Sequence, residues 1–206
     1  MKNLAPLKSV ILSAVVFLAA CSVLPERTPV DLFQLPPASL SASGSDQRLS
    51  SLRISRPQIS EALGGNRLLI MTGNNSFQAY PEARWTTTVP LLWRDWLLDA
   101  FWRDGRVQAL SAASEGLQSS SELGGMLRAF HVDSSSGQPQ AVIQFDAMLI
   151  DVATRRIIAS YRFAAQQTLT GTDVSAAVAA LGLASNRLAE ELIAWVVSQE
   201  ARAVPD

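Results

Sequence analysis

The only thiol of the chain, Cys21, follows Leu18-Ala19-Ala20 and closes a short apolar run. Met1, Lys2 and Lys8 give the segment a positive start, and Val10 to Phe17 is nearly unbroken apolar sequence, which is the layout of a secretory signal. A bilayer core needs roughly 20 apolar residues, so this run is too short for a permanent transmembrane helix.

Leu-Ala-Ala-Cys resembles the bacterial lipobox at all four positions. The resemblance implies that the small residues give a signal peptidase access to the bond between Ala20 and Cys21, that cleavage there makes Cys21 the first residue of the mature chain, and that it carries diacylglycerol on its sulfur and an acyl chain on its amine. One chain anchors marginally, whereas several chains, at roughly 0.8 kcal/mol per buried methylene, hold a protein to a membrane almost permanently. The alternative is a plain secreted protein with an ordinary Ala-x-Ala cleavage site and a chance cysteine. A lone cysteine at the junction suits neither a disulfide nor a metal role. By resemblance to Gram-negative sorting signals, Ser22 in place of Asp implies export to the outer membrane, with the domain facing the periplasm.

Other candidate chemistry is sparse. His131 is the single histidine, and metal sites and nucleophile-base pairs usually draw on several His and Cys residues. His131 and Asp133 share a face of one strand, but no Gly-x-Ser-x-Gly elbow supplies a serine to them, and the histidine is expected to be incidental. Gly124-Gly125 lacks the Lys-Ser/Thr ending of a phosphate loop. Asp146 and Asp151, five apart on a strand, point to opposite faces and make no acid/base pair. No enzyme activity, metal or cofactor is expected, apart from covalent lipid on Cys21.

The mature chain carries 15 arginines, no lysine and 18 acidic residues, a net charge of −3. Nucleic-acid binding wants a basic excess or a basic face, and neither is visible. Lysine chemistry is excluded. The length suits one domain with a substantial core.

The elements that must position these residues read in order. Residues 1–20 are the signal peptide, 21–31 an acylated tether with Pro25 and Pro29, and 32–206 the folded domain. A short strand over 32–35 stops at Pro36-Pro37, and a serine-rich mobile loop follows to Asp46. Strands are expected over 49–55 and 68–71, the second covered on both faces, with 77–80 as its hairpin partner. Thr88-Val89-Pro90 predicts a helix start with a hydroxyl cap, and Gly105 its stop. In that helix Arg94, Asp95, Asp99 and Arg103 form one narrow polar stripe. The apolar arc around it is wider than one sheet contact needs, so Trp93, Trp96 and Trp102 either wedge into the core or face a partner or an acyl chain.

A short strand over 107–110 and a polar loop follow. Three long strands over 123–132, 141–152 and 157–169 are joined by turns short enough to force antiparallel neighbours. In the last, Ile157, Ala159, Tyr161, Phe163 and Ala165 alternate with a wetter set. A terminal helix from Asp173 to Arg202 carries Val178, Leu181, Leu188, Leu192, Trp195 and Val196 on one stripe, to pack across the sheet. The expected class is α/β in the α+β sense, a single domain with a mixed, mostly antiparallel sheet and two main flanking helices.

Taken together, the lipobox at Cys21, the 32–35 strand, Arg56-Pro57-Gln58-Ile59, Asn66-Arg67-Leu68-Leu69-Ile70, Tyr80 followed by Arg84-Trp85, the helix to Phe101 and the closing Trp-bearing helix resemble the ABC-type transport auxiliary lipoproteins, the family that includes paraquat-inducible protein C. The resemblance covers almost the whole mature chain; the 35–49 loop is longer and richer in serine than the family pattern. It implies a periplasmic accessory of a lipid or hydrophobic-solute transport system, working with an ABC ATPase, a permease and a membrane-anchored MCE-domain protein. The family has no catalytic residues to carry over. Two other readings stay open: a structural outer-membrane lipoprotein, and a module that itself carries lipid. Self-association is compatible with either.

Overall fold

The computed structural model describes residues 29–41 and 49–203, with side chains to residue 199. The expected signal peptide, its expected cleavage site at Ala20 and Cys21, and the expected tether up to residue 28 lie outside the described residues, as do residues 42–48.

The chain forms one mixed sheet with two helices on one face. Its strands are β1 (Asp31–Phe33), β2 (Leu49–Ile54), β3 (Gln58–Ile59), β4 (Arg67–Thr72), β5 (Ser76–Trp85), β6 (Val107–Ala112), β7 (Ser121–Asp133), β8 (Gln140–Asp151) and β9 (Ile157–Thr168). The helices are α1 (Val89–Asp104) and α2 (Val174–Ala203). The spine is β7. One of its edges pairs antiparallel with β8 along its whole length, and β8 pairs antiparallel with β9. The other edge takes β2, β3 and β4 in succession, all parallel. The sheet therefore forks, with β6 beyond β2 on one arm and β5 then β1 beyond β4 on the other.

The meander from β7 to β9 and both helices lie within a residue or two of the expected bounds. Pro90 opens α1 and Gly105, at φ 75°, closes it through its N–H to the Phe101 carbonyl. The start differs in one detail. Thr88 has the extended backbone of an N-cap, but its hydroxyl makes no capping bond; the backbone N–H of Leu92 reaches the Thr88 carbonyl instead. The expected two-sided cover of β4 is only partial, because Leu68 alone is fully buried there.

Strand β8 alternates strictly, with Ala141, Ile143, Phe145, Ala147 and Leu149 toward the helices. β7 cannot follow suit, since Leu127 and Phe130, three apart, both belong to the core and would face opposite sides of a regular strand. A bulge resolves the conflict: Leu127 pairs with Phe145 and Ala129 with Gln144, so Arg128 is the extra residue. A second shift beside Leu149 and Ile150 pairs Ile157 with Ile150, which breaks the parity expected of β9 at its start.

In the core, Trp93 of α1 packs on the Phe130 and Phe145 rings, with centroids 6.0 and 6.2 Å away, and stacks on Trp96 at 5.7 Å. Trp195 of α2 meets Phe163 at 5.6 Å. Both helices thus cover the same face, the two-layer solution for a one-sidedly apolar sheet. The 30 residues of α2 bury Leu181, Leu188, Leu192 and Val196, as the stripe predicted.

Candidate functional site

Just after β1 the chain is held against both helices, including the start of the run expected to be a mobile loop. Leu35 and Ala38 are buried. The Pro36 carbonyl accepts a 2.8 Å hydrogen bond from Trp96 Nε1 of α1, and the Ser39 N–H donates to Asn186 Oδ1 of α2 at 3.0 Å. A Cβ added at Gly182 of α2 would lie 2.8 Å from the Pro36 ring. Residues 35–39 are therefore held between the two helices. Proline suits the role because it is preset in extended backbone and leaves no N–H to satisfy in a crowded place.

The three tryptophans singled out in α1 separate. Trp93 is fully buried and Trp96 nearly so, and they fill the space between helix and sheet with Phe130 and Phe145. Trp102 is 72% exposed. It borders a shallow groove of about 280 Å³ between α1 and β6, with Leu98, Leu110 and Glu115. β6 is the outermost strand of its arm.

His131 lies on the face away from the helices, packed edge-on by Phe77 with ring centroids 5.1 Å apart. Burial pushes its imidazole below the ordinary range, and the nearby Asp133 opposes the shift. Asp133 accepts the Ser135 N–H at 2.8 Å, and the Ser134 hydroxyl donates to the Met71 carbonyl. No hydroxyl is directed at the ring: His131 Nδ1 has no hydrogen-bond partner among the described residues. Among the same residues no group of three or more His, Cys, Asp or Glu side chains is arranged to hold a metal, and no helix is long and apolar enough to cross a membrane.

Sequence reasoning missed the helix-free face. Met126, Asp146 and Arg162 sit opposite one another across β7, β8 and β9. Arg128, presented by the bulge, donates from Nε to Asp146 Oδ2 at 2.8 Å. Arg162 donates from Nε to Oδ1 at 2.5 Å and from Nη2 to Oδ2 at 2.8 Å. These bonds hold the Asp146 carboxyl well below the usual carboxylate range. A concavity of about 570 Å³ lies over the row, lined by Met126, Arg128, Asp146, Met148, Ser160 and Arg162. Spacing on a single strand could not reveal it, because its contributors come from three strands.

A forked mixed sheet with two helices on one face defines a single α+β domain. The chain matches the model of the ABC-type transport auxiliary lipoprotein component over residues 33–193, and it belongs to that family. Among solved structures, protein XCC0632 from Xanthomonas campestris is similar at TM-score 0.75 and 20% identity, covering 84% of this chain and 98% of that one. An uncharacterized protein is similar at TM-score 0.65 and 15% identity, over 82% and 99%. The hypothetical protein CT253 from Chlamydia trachomatis follows at TM-score 0.53 and 9% identity, over 74% and 98%. At these identities the likenesses speak to the fold alone. No curated protein matches the sequence.

Proposed function

We propose that this chain is a docking module of an MCE-linked ABC transport system for lipids or other hydrophobic solutes, fixed to the outer membrane by acyl chains on Cys21 and facing the periplasm. The observation that carries the reading is the match to the transport auxiliary lipoproteins, which begins at Phe33, a short segment after Cys21. The described chain enters the body at β1, and residues 35–39 just after it are gripped by both helices. The domain acts by contact and has no catalytic role. Trp102 is the one tryptophan of α1 with its surface available to a partner.

Co-purification of the tagged full chain from detergent extracts tests this. An MCE-domain protein or the permease is expected to accompany it, and Cys21→Ser is expected to move the chain out of the membrane fraction and reduce that recovery. If both partners are expressed and neither accompanies the chain, the docking role fails.

A further inference from the structure

On the helix-free face, two guanidinium groups and one carboxylate form a cluster held in place by their mutual bonds. Asp146 takes one donor of Arg128 and two of Arg162. A guanidinium has five N–H donors, and the remaining ones on both side chains meet no other partner among the described residues. The cluster bears a net positive charge, and Asp146 fixes the two planar forks side by side. Exposed ion pairs contribute little to stability on their own. Here the second cation is supplied by a bulge, and it has no anion of its own.

A planar fork with spare parallel donors matches the oxygens of phosphate, which arginine holds bidentately. Met126 and Met148, both half-buried, flank the charged row within the same concavity. Their unbranched, polarizable side chains adapt to an apolar substituent of irregular shape. We infer that Arg128 and Arg162, aligned by Asp146, form a binding site for a phosphate ester whose apolar part lies along Met126 and Met148. This site is separate from the docking role proposed above and does not depend on it.

The test uses the full chain in nonionic detergent micelles, following the Nε–Hε resonances of Arg128 and Arg162 by NMR. Glycerol 1-phosphate in solution, and phosphatidylglycerol doped into the micelles, are expected to shift both resonances saturably. Diacylglycerol at the same mole fraction should not shift them, and inorganic phosphate should bind several-fold more weakly than glycerol 1-phosphate. Arg162→Gln and Arg128→Gln, at exposed positions that leave the core intact, are each expected to weaken binding at least tenfold. Asp146→Asn separates an aligned clamp from general attraction, since it raises the net charge but frees both guanidinium groups. It is expected to weaken binding at least threefold. Absence of saturable shifts, tighter binding in Asp146→Asn, an equal response to diacylglycerol, or equal binding of inorganic phosphate and its ester would overturn the assignment.

Discussion

Gly182 of α2 lies directly against the ring of Pro36: a Cβ at position 182 would stand 2.8 Å from Pro36 Cγ and 2.9 Å from Cδ. In an exposed helix interior, alanine is favoured over glycine by about 1 kcal/mol. Here the gain is outweighed, because overpacking costs about 1–3 kcal/mol and Pro36 is pinned on its other side by Trp96. Gly182→Ala is expected to lower stability by about 1 kcal/mol in urea unfolding. Combining it with Pro36→Ala should recover part of the loss, with a coupling of about 1 kcal/mol between the two positions. Strict additivity would show that the helices do not clamp this segment.

Gly124 and Gly125 are adjacent on β7, yet their substitutions should differ. A Cβ at Gly125, whose φ is 142°, would approach the Asp146 carbonyl oxygen to 2.0 Å, a backbone atom that the β7 to β8 ladder holds in place. At Gly124 the obstacle is the Ser55 hydroxyl at 2.9 Å, on a side chain that can turn. Gly125→Ala is expected to cost about 3 kcal/mol or more and Gly124→Ala about 1 kcal/mol, as read from urea midpoints. Comparable losses would mean that the ladder yields at Gly125.

Trp93 and Trp102 belong to one helix and opposite environments. Trp93→Ala is expected to cost about 3–5 kcal/mol by opening a cavity against Phe130 and Phe145. Trp102→Ala should change stability by less than about 0.5 kcal/mol while reducing recovery of the transport partner. A large stability loss at Trp102 would make it a structural residue.

The stability of the domain is expected to carry the signature of His131. Burial lowers its folded pKa below the ordinary 6.5, so the unfolded chain takes up a proton as pH falls through that value while the folded chain does not. The contribution is complete above the unfolded pKa and is lost as pH drops from there toward the lower folded value. Urea midpoints should therefore fall more steeply between about pH 7 and about pH 5 in the natural chain than in His131→Leu. Parallel profiles would show that the ring titrates as it does in the unfolded chain.

The sequence by itself determined the features that local physics writes in neighbouring residues. Pro90 and Gly105 bound α1 because one lacks an N–H that a helix start does not need and the other tolerates the left-handed backbone of a helix end. Short turns force β7, β8 and β9 into antiparallel order, and the apolar stripe of α2 marks its buried face. Only the tertiary structure decided the rest. The parallel pairing of β2, β3 and β4 along one edge of β7 joins segments far apart in the chain, and no turn encodes it. The serine-rich run from Ala38 read as loop, yet Ala38 is core and Ser39 bonds Asn186, since their placement depends on Trp96, Gly182 and Asn186 arriving from two helices. Arg128 counts as one more strand residue until the bulge turns it toward Asp146, because a bulge is chosen by which residues the core must accept on either side of it.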